Sequence, residues 1–201
     1  LAHYHHGQHQ WTKTTPTDQE RAEIRTDLDA MQGRRCAYCE CNLDQHGQHI
    51  EHFRQRSRYP QGTFEWDNLF LSCERPDSCG KHKDGCGPYN HADLIKPDGE
   101  DPEHFFLFGQ HGTINLRQGL NSQETHRAAE TLRIFNLDAQ WGPLRQMRKV
   151  ACIGYIETAK AFQEIAQHYP QDDWWPLLQE ELAQVEHLPF RTAIKHTLSP
   201  V

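Results

Sequence analysis

Nowhere in this chain do apolar residues run for the roughly 20 positions that a helix needs to cross a bilayer, so no membrane partner is expected. The chain also lacks an internal repeat, a low-complexity tract and any recognisable linker, which excludes solenoids and strings of independent modules. Positive charge is not in excess either. The formal net charge is −7, whereas a protein that grips nucleic acid by itself should show a basic footprint somewhere. An apolar signal core is missing from the visible start, because LAHYHHGQHQW is too polar to form one. The sequence opens on Leu1 rather than Met, and an upstream piece is expected to precede it.

What is present is a globular but polar composition: 201 residues, 36% hydrophobic, with five tryptophans and nine phenylalanines. That length suits one domain with a sizeable core, or a small motif domain with a helical extension. Charge is unevenly spread. Residues 34–83 carry eight basic and seven acidic side chains, whereas residues 84–201 carry ten and sixteen. The seven cysteines are an odd number, and four of them form two local pairs. That pattern suits metal ligation in a reducing compartment better than a disulfide framework, and the expected location is the cytoplasm.

Local signals place the elements. T-D-Q-E at 17–20 is a capping box, and Ile24, Leu28 and Met31 follow at helical spacing, so a helix should run from Thr17 to about Gln32 with Gly33 as its stop. RRCAYCEC at 34–41 should be a tight turn. HIEHF and TFEWDNLFLSC read as two short strands separated by a turn at Tyr59-Pro60-Gln61-Gly62, and RPDSCGKHKDGCGPYN leaves room for one short helix. FFLF at 105–108 and TINL at 113–116 read as a separate hairpin. From the N-S-Q-E box at 121–124 onward, three-to-four spacing of apolar residues over 122–134 and 143–168, and a final helix through Trp174, Trp175, Leu177, Leu178, Leu182 and Val185, make the second half mainly helical.

Cys36-x2-Cys39 and Cys73-x5-Cys79 together offer four thiolates, the donor set of a tetrahedral structural zinc. The metal would replace core that a segment of about 50 residues cannot bury. Between the pairs stand Glu51 and His52, then Asn68 sixteen residues after the histidine, then Cys73 in N-L-F-L-S-C, then His82 in C-G-K-H-K. In that order these residues resemble the HNH, or ββα-metal, endonucleases of the zinc-stabilised type. CAYCE, HIEHFRQRSRYP, FEWDNLFLSC, SCGKHKD and LIKPDGEDPEHFFLF together look like the HNH nuclease subunits (PtuB-like) of Septu-type and retron-associated anti-phage defence systems.

The resemblance implies a chemistry and a set of roles. His52 would be the general base that takes a proton from water, an imidazole near its ordinary pKa of about 6.5 being a competent acceptor at neutral pH. Glu51, Asn68 and His82 would hold a catalytic Mg2+ or Mn2+, while Arg54, Arg56, Arg58 and Lys83 would hold flanking phosphates. Zinc on Cys36, Cys39, Cys73 and Cys79 would keep the scaffold. The implied partners are a nucleic-acid substrate, an ATPase subunit and a reverse-transcriptase or retron complex. Three departures from the family pattern stand out: Glu51 where Asp is commoner, five residues rather than two between the second pair of cysteines, and Gly80 where many members carry the third ligand.

Simpler readings stand beside these. The four cysteines could be buried apolar thiols, His52 and His82 solvated histidines, Asn68 a turn residue after Asp67, and the arginines an ordinary charged face. Cys41, Cys86 and Cys152 are assigned no role, although Cys41 and Cys86 lie close enough in sequence to stand in as ligands. His5, His6 and His9 are assigned nothing. A zinc knuckle that binds nucleic acid or protein without catalysis is the rival function. The expected fold is α+β: an N-terminal tail and helix over 1–33, a small zinc-stabilised ββα-metal (HNH) core over 34–95, and a hairpin plus mainly α-helical region over 96–201 that docks a partner.

Overall fold

The computed structural model describes residues 1–199. Helix α1 (Asp18–Gln32) begins and ends where its caps dictate. Thr17 accepts from the Glu20 amide while Glu20 reaches back to the Thr17 amide, and Gly33 closes the helix in the left-handed region at φ 59°. Ile24 and Leu28 form its buried stripe. A knuckle over residues 33–42 follows, then a single turn, α2 (Leu43–His46), capped by the Asn42 side chain.

Strands β1 (Gln48–His52) and β2 (Leu69–Cys73) pair antiparallel, with Glu51 opposite Phe70 and His52 opposite Leu69. The sequence suggested a longer second strand starting at Thr63. Residues 60–64 and 66–68 instead wind into two short 3-10 turns, because the chain leaving β1 must turn back before it can pair again. Helix α3 (Cys79–Gly85) follows β2 and completes a ββα unit. Gln32 clamps the knuckle to that unit: its side chain accepts from the Leu71 amide at 2.8 Å and donates to the carbonyls of Leu71 and Arg35, each at 2.9 Å.

The second half opens with the turn α4 (Pro102–Phe105), which leads into the hairpin β3 (Phe106–Phe108) and β4 (Ile114–Leu116). Helix α5 (Ser122–Phe135) starts on the Asn121 capping box and packs along α3. The stretch of helical spacing over 143–168 forms two helices, α6 (Pro143–Ile153) and α7 (Ile156–His168), broken at Gly154-Tyr155. Helix α8 (Gln171–Val185) is followed by a further helix, α9 (Arg191–Leu198), that periodicity did not reveal. Glu40 of the knuckle caps α9 by accepting from the Thr192 amide at 3.0 Å and the Thr192 hydroxyl at 2.6 Å. That contact spans more than 150 residues, beyond the reach of any local pattern.

One apolar core runs from Ile24 and Leu28 through the knuckle, β2 and α5 to Phe190 and Ala193, so residues from all three sequence segments share it. A smaller cluster holds α7, α8 and α9 together through Phe162, Trp174, Leu178 and Leu198. Buried Arg148 of α6 donates to the carbonyls of Gly112 and Leu137 and so ties the β3–β4 hairpin to the helices. Among the described residues, no helix is long and apolar enough to cross a membrane.

Candidate functional site

The knuckle, the end of β2 and the start of α3 bring four thiols together. The Sγ atoms of Cys36, Cys39, Cys73 and Cys79 all lie within 4.8 Å of one another, and each residue is at most 6% exposed. A tetrahedron of Zn–S bonds of about 2.3 Å spaces its sulfurs about 3.8 Å apart, so a modest contraction makes the site. The thiols divide their protons unequally. Burial pushes Cys36 up, but hydrogen bonds from Cys39, Cys41, Cys73 and Cys79 outweigh it and hold this thiol well below its ordinary range. Burial drives Cys39 and Cys79 above that range. A dication resolves such a division by holding all four as thiolates, and zinc fits this donor set. The Cys73 amide, 3.4 Å from Cys36 Sγ, adds a donor to one sulfur.

The remaining cysteines lie around or away from that cluster. Cys41 is fully buried beside it, and its carbonyl accepts from the Cys36 amide at 3.0 Å. Cys86 sits near His82, and Cys152 is in the main core.

Because successive strand residues point to opposite faces, Glu51 and His52 part company. Glu51 turns beneath α3, 3% exposed. Its Oε1 lies 2.6 Å from Lys83 Nζ, off the best hydrogen-bond direction, so the contact is an ion pair. Its Oε2 lies 3.3 Å from His49 Nε2. His52 turns to the loop instead. Its Nε2 is 3.0 Å from the Thr63 carbonyl, which can only accept, so Nε2 carries the proton and Nδ1 keeps a free lone pair. Trp11 packs edge-on against the ring with centroids 4.6 Å apart, and His52 is 6% exposed. Burial, then the charge of Arg56, pushes the imidazole down to about 3, well below the value near 6.5 expected from the sequence.

The other expected site residues are placed as follows. Asn68 is fully buried with both ends of its side chain used inside the loop, the oxygen by Arg54 and the nitrogen by the carbonyls of Arg54 and Gly62, so it clamps the loop. His82 lies on the opposite side of α3 from Glu51, its Nδ1 2.9 Å from the Ile134 carbonyl of α5. Lys83, expected to hold a phosphate, is fully buried. Arg54 pairs with Glu65 and Asp67 and stacks over Tyr59, so it too is engaged. Arg56 and Arg58 remain exposed, although Arg56 also donates to the Trp11 carbonyl at 3.1 Å.

Trp11, Thr63 and His49 were not singled out from sequence. Trp11 lies in a polar stretch without periodicity, and Thr63 acts through its carbonyl, which every residue has. His49 stood in the open, two positions before Glu51 and therefore on the same strand face. The residues expected to hold a catalytic Mg2+ or Mn2+ are not gathered about one point. Glu51 is paired with Lys83, Asn68 is spent on the loop and His82 faces α5.

The fold and site thus define a four-cysteine ββα unit that sets a histidine at the end of its first strand, carried on a helical body. No family model matches the chain. It is similar to HNH-like defence nucleases. It is 32% identical over 88 residues to the Septu protein PtuB of Bacillus thuringiensis, a match covering 42% of this chain and 33% of the relative. It is 24% identical over 140 residues to a candidate HNH endonuclease of retron Vc95 from Vibrio cholerae serotype O1 biovar El Tor, covering 66% of each. The chain thus spans a third of the first relative's length and just under two thirds of the second's.

Proposed function

We propose that the chain is an endonuclease that hydrolyses nucleic-acid phosphodiester bonds, the effector of a bacterial anti-phage defence complex, with His52 as its general base. The hydrogen bond from His52 Nε2 to the Thr63 carbonyl carries this reading. It fixes the tautomer that leaves the Nδ1 lone pair free and holds the ring at the edge of a ββα unit; burial keeps the imidazole a weak base until Trp11 moves aside and water reaches it. Similarity to the Septu and retron relatives supports the same chemistry.

In the proposed reaction, His52 Nδ1 accepts a proton as water attacks phosphorus. The bond from phosphorus to the 3′-oxygen breaks and that oxygen takes a proton from solvent, leaving a 5′-phosphate and a 3′-hydroxyl, while His52 returns its proton to solvent. Arg56 and Arg58 hold the phosphate by charge-assisted hydrogen bonds. Zinc, held by Cys36, Cys39, Cys73 and Cys79, supplies scaffold rigidity. Trp11 must swing off the imidazole for the backbone to approach. No step needs a 2′-hydroxyl, so DNA and RNA both belong in the assay.

The acidic second half gives the lone chain little affinity for polyphosphate, and a partner is proposed to deliver the substrate. An ATPase subunit is the candidate, with a retron reverse transcriptase as the other. Exposed Trp141, Val150 and Ile153, which flank and line α6, offer such a partner an apolar face. A non-catalytic zinc-knuckle binding module remains the second reading, favoured by the burial of His52 under Trp11.

The test is cleavage of DNA and RNA by the assembled complex, with end-group analysis, comparing wild type with His52→Ala. Loss of a general base should slow cleavage by about 10²–10⁴-fold. A folded, zinc-loaded variant that cuts at the wild-type rate would favour the binding module.

A further inference from the structure

Three observations converge on the Glu51 carboxylate. It is 3% exposed, and the residue that meets it, Lys83, is fully buried. Lys83 Nζ stands 2.6 Å from Glu51 Oε1, 3.0 Å from the His52 carbonyl oxygen and 2.9 Å from Asp84 Oδ1, so three oxygens surround one ammonium. One turn earlier on the same face of α3, Gly80 leaves no space for a side chain. A Cβ there would lie 2.6 Å from Glu51 Oε2.

A divalent ion needs Glu51 to turn an oxygen toward it together with other donors. The other carboxylate oxygen already meets His49. An ammonium and a dication cannot share Oε1 at contact distance, because both are positive and the Glu51–Lys83 pair is buried. Expelling Lys83 would strip its charge of three oxygens and leave the buried His52 carbonyl without this donor. Gly80, the position from which a ligand could have come, is closed by the carboxylate itself.

We infer that Lys83 is the resident cation of the Glu51 seat: it neutralises the carboxylate, positions the His52 main chain through its carbonyl, and excludes a divalent ion from Glu51. The binding part of this inference is independent of catalysis; only the positioning of His52 for chemistry rests on the proposed function. Lys83 is a positioning residue, since it reaches no substrate itself. The pattern C-G-x-x-K over residues 79–83 is its sequence mark: glycine where the carboxylate presses on the helix, lysine one turn later to meet it.

The experiment is Mn2+ titration of the full zinc-loaded chain, followed by electron paramagnetic resonance, for wild type, Glu51→Gln, Lys83→Met and the double variant. Wild type and Glu51→Gln should bind Mn2+ alike within twofold. Lys83→Met should gain at least a tenfold tighter site that the double variant loses, a gain that a merely structural lysine would not produce. At least tenfold weaker Mn2+ binding by Glu51→Gln, with Lys83 present, would overturn the inference; so would a folded Lys83→Met protein with no gain. Should Lys83→Met not fold, as judged by circular dichroism and zinc content, the Glu51→Gln comparison decides alone. Failure of His52 as a base would register separately, as cleavage insensitive to His52→Ala, and leaves the Mn2+ result untouched.

Discussion

The side-chain oxygen of Asn68 accepts from the backbone amide of Arg54 at 2.7 Å, while its nitrogen donates to the Gly62 carbonyl at 2.9 Å and the Arg54 carbonyl at 3.2 Å. One fully buried carboxamide thus closes the loop that carries the Thr63 carbonyl to His52. Asn68→Ala strands a buried donor and its acceptors, each orphaned group costing about 1–3 kcal/mol. The expected loss is about 3 kcal/mol, seen as a lower urea midpoint. Asn68→Asp should not rescue it, because a carboxylate oxygen would face two carbonyls. A wild-type midpoint in Asn68→Ala would dismiss the clamp.

Gly80→Ala forces a Cβ to within 2.6 Å of Glu51 Oε2 and 2.7 Å of its Cδ. Overpacking of this kind costs about 1–3 kcal/mol. Gly85→Ala, at the end of the same helix with nothing within 4 Å of the added carbon, is the control and should be neutral or slightly stabilising. Equal unfolding midpoints for the two variants would contradict the close approach of α3 to Glu51.

Cys36→Ser or Cys73→Ser should abolish tight zinc binding and leave the ββα unit unfolded at 25 °C, since a structural site contributes folding energy outright. Cys152→Ser, buried away from the cluster, should retain about one zinc per chain. Metal analysis by atomic emission and far-ultraviolet circular dichroism read both outcomes. Full zinc occupancy in Cys73→Ser would remove that residue from the ligand set.

Burial holds the His52 imidazole at about 3 in the folded chain, against about 6.5 when unfolded. The unfolded state therefore takes up the proton first. This contribution to stability is complete above pH ~6.5 and is lost progressively as the pH falls toward about 3. By pH 5.5 the loss is about 1.4 kcal/mol, and His52→Asn should lack that part of the slope between pH 7.5 and 5.5. Identical pH dependence in the two proteins would mean that the imidazole is not held neutral by the fold.

Much of the frame could be read from short stretches. The Thr17–Glu20 box, Gly33, the Asn121–Glu124 box and the cysteine spacings each act over a few residues, and helices α1 and α5 and the thiol cluster stand where those signals put them. The break at Gly154, the extra helix α9 and the 3-10 turns before β2 were less visible, because each depends on what the chain must pack against next. The face that His82 takes was not legible, since a helix of seven residues offers several faces and packing against α5 selects this one.

The sequence by itself determined which residues could ligate a soft metal, where the capped helices start, and that Glu51 and His52 would sit side by side at the end of a strand. Those properties follow from donor chemistry, backbone capping and the alternation of a strand. Only the tertiary structure decided that Lys83 meets Glu51, that Asn68 closes a loop, that His82 faces α5 and that Trp11 lies against His52. A side chain's partner across tens of residues is set by which surfaces the whole core brings together, and burial then leaves each polar group no alternative but the neighbour it finds there.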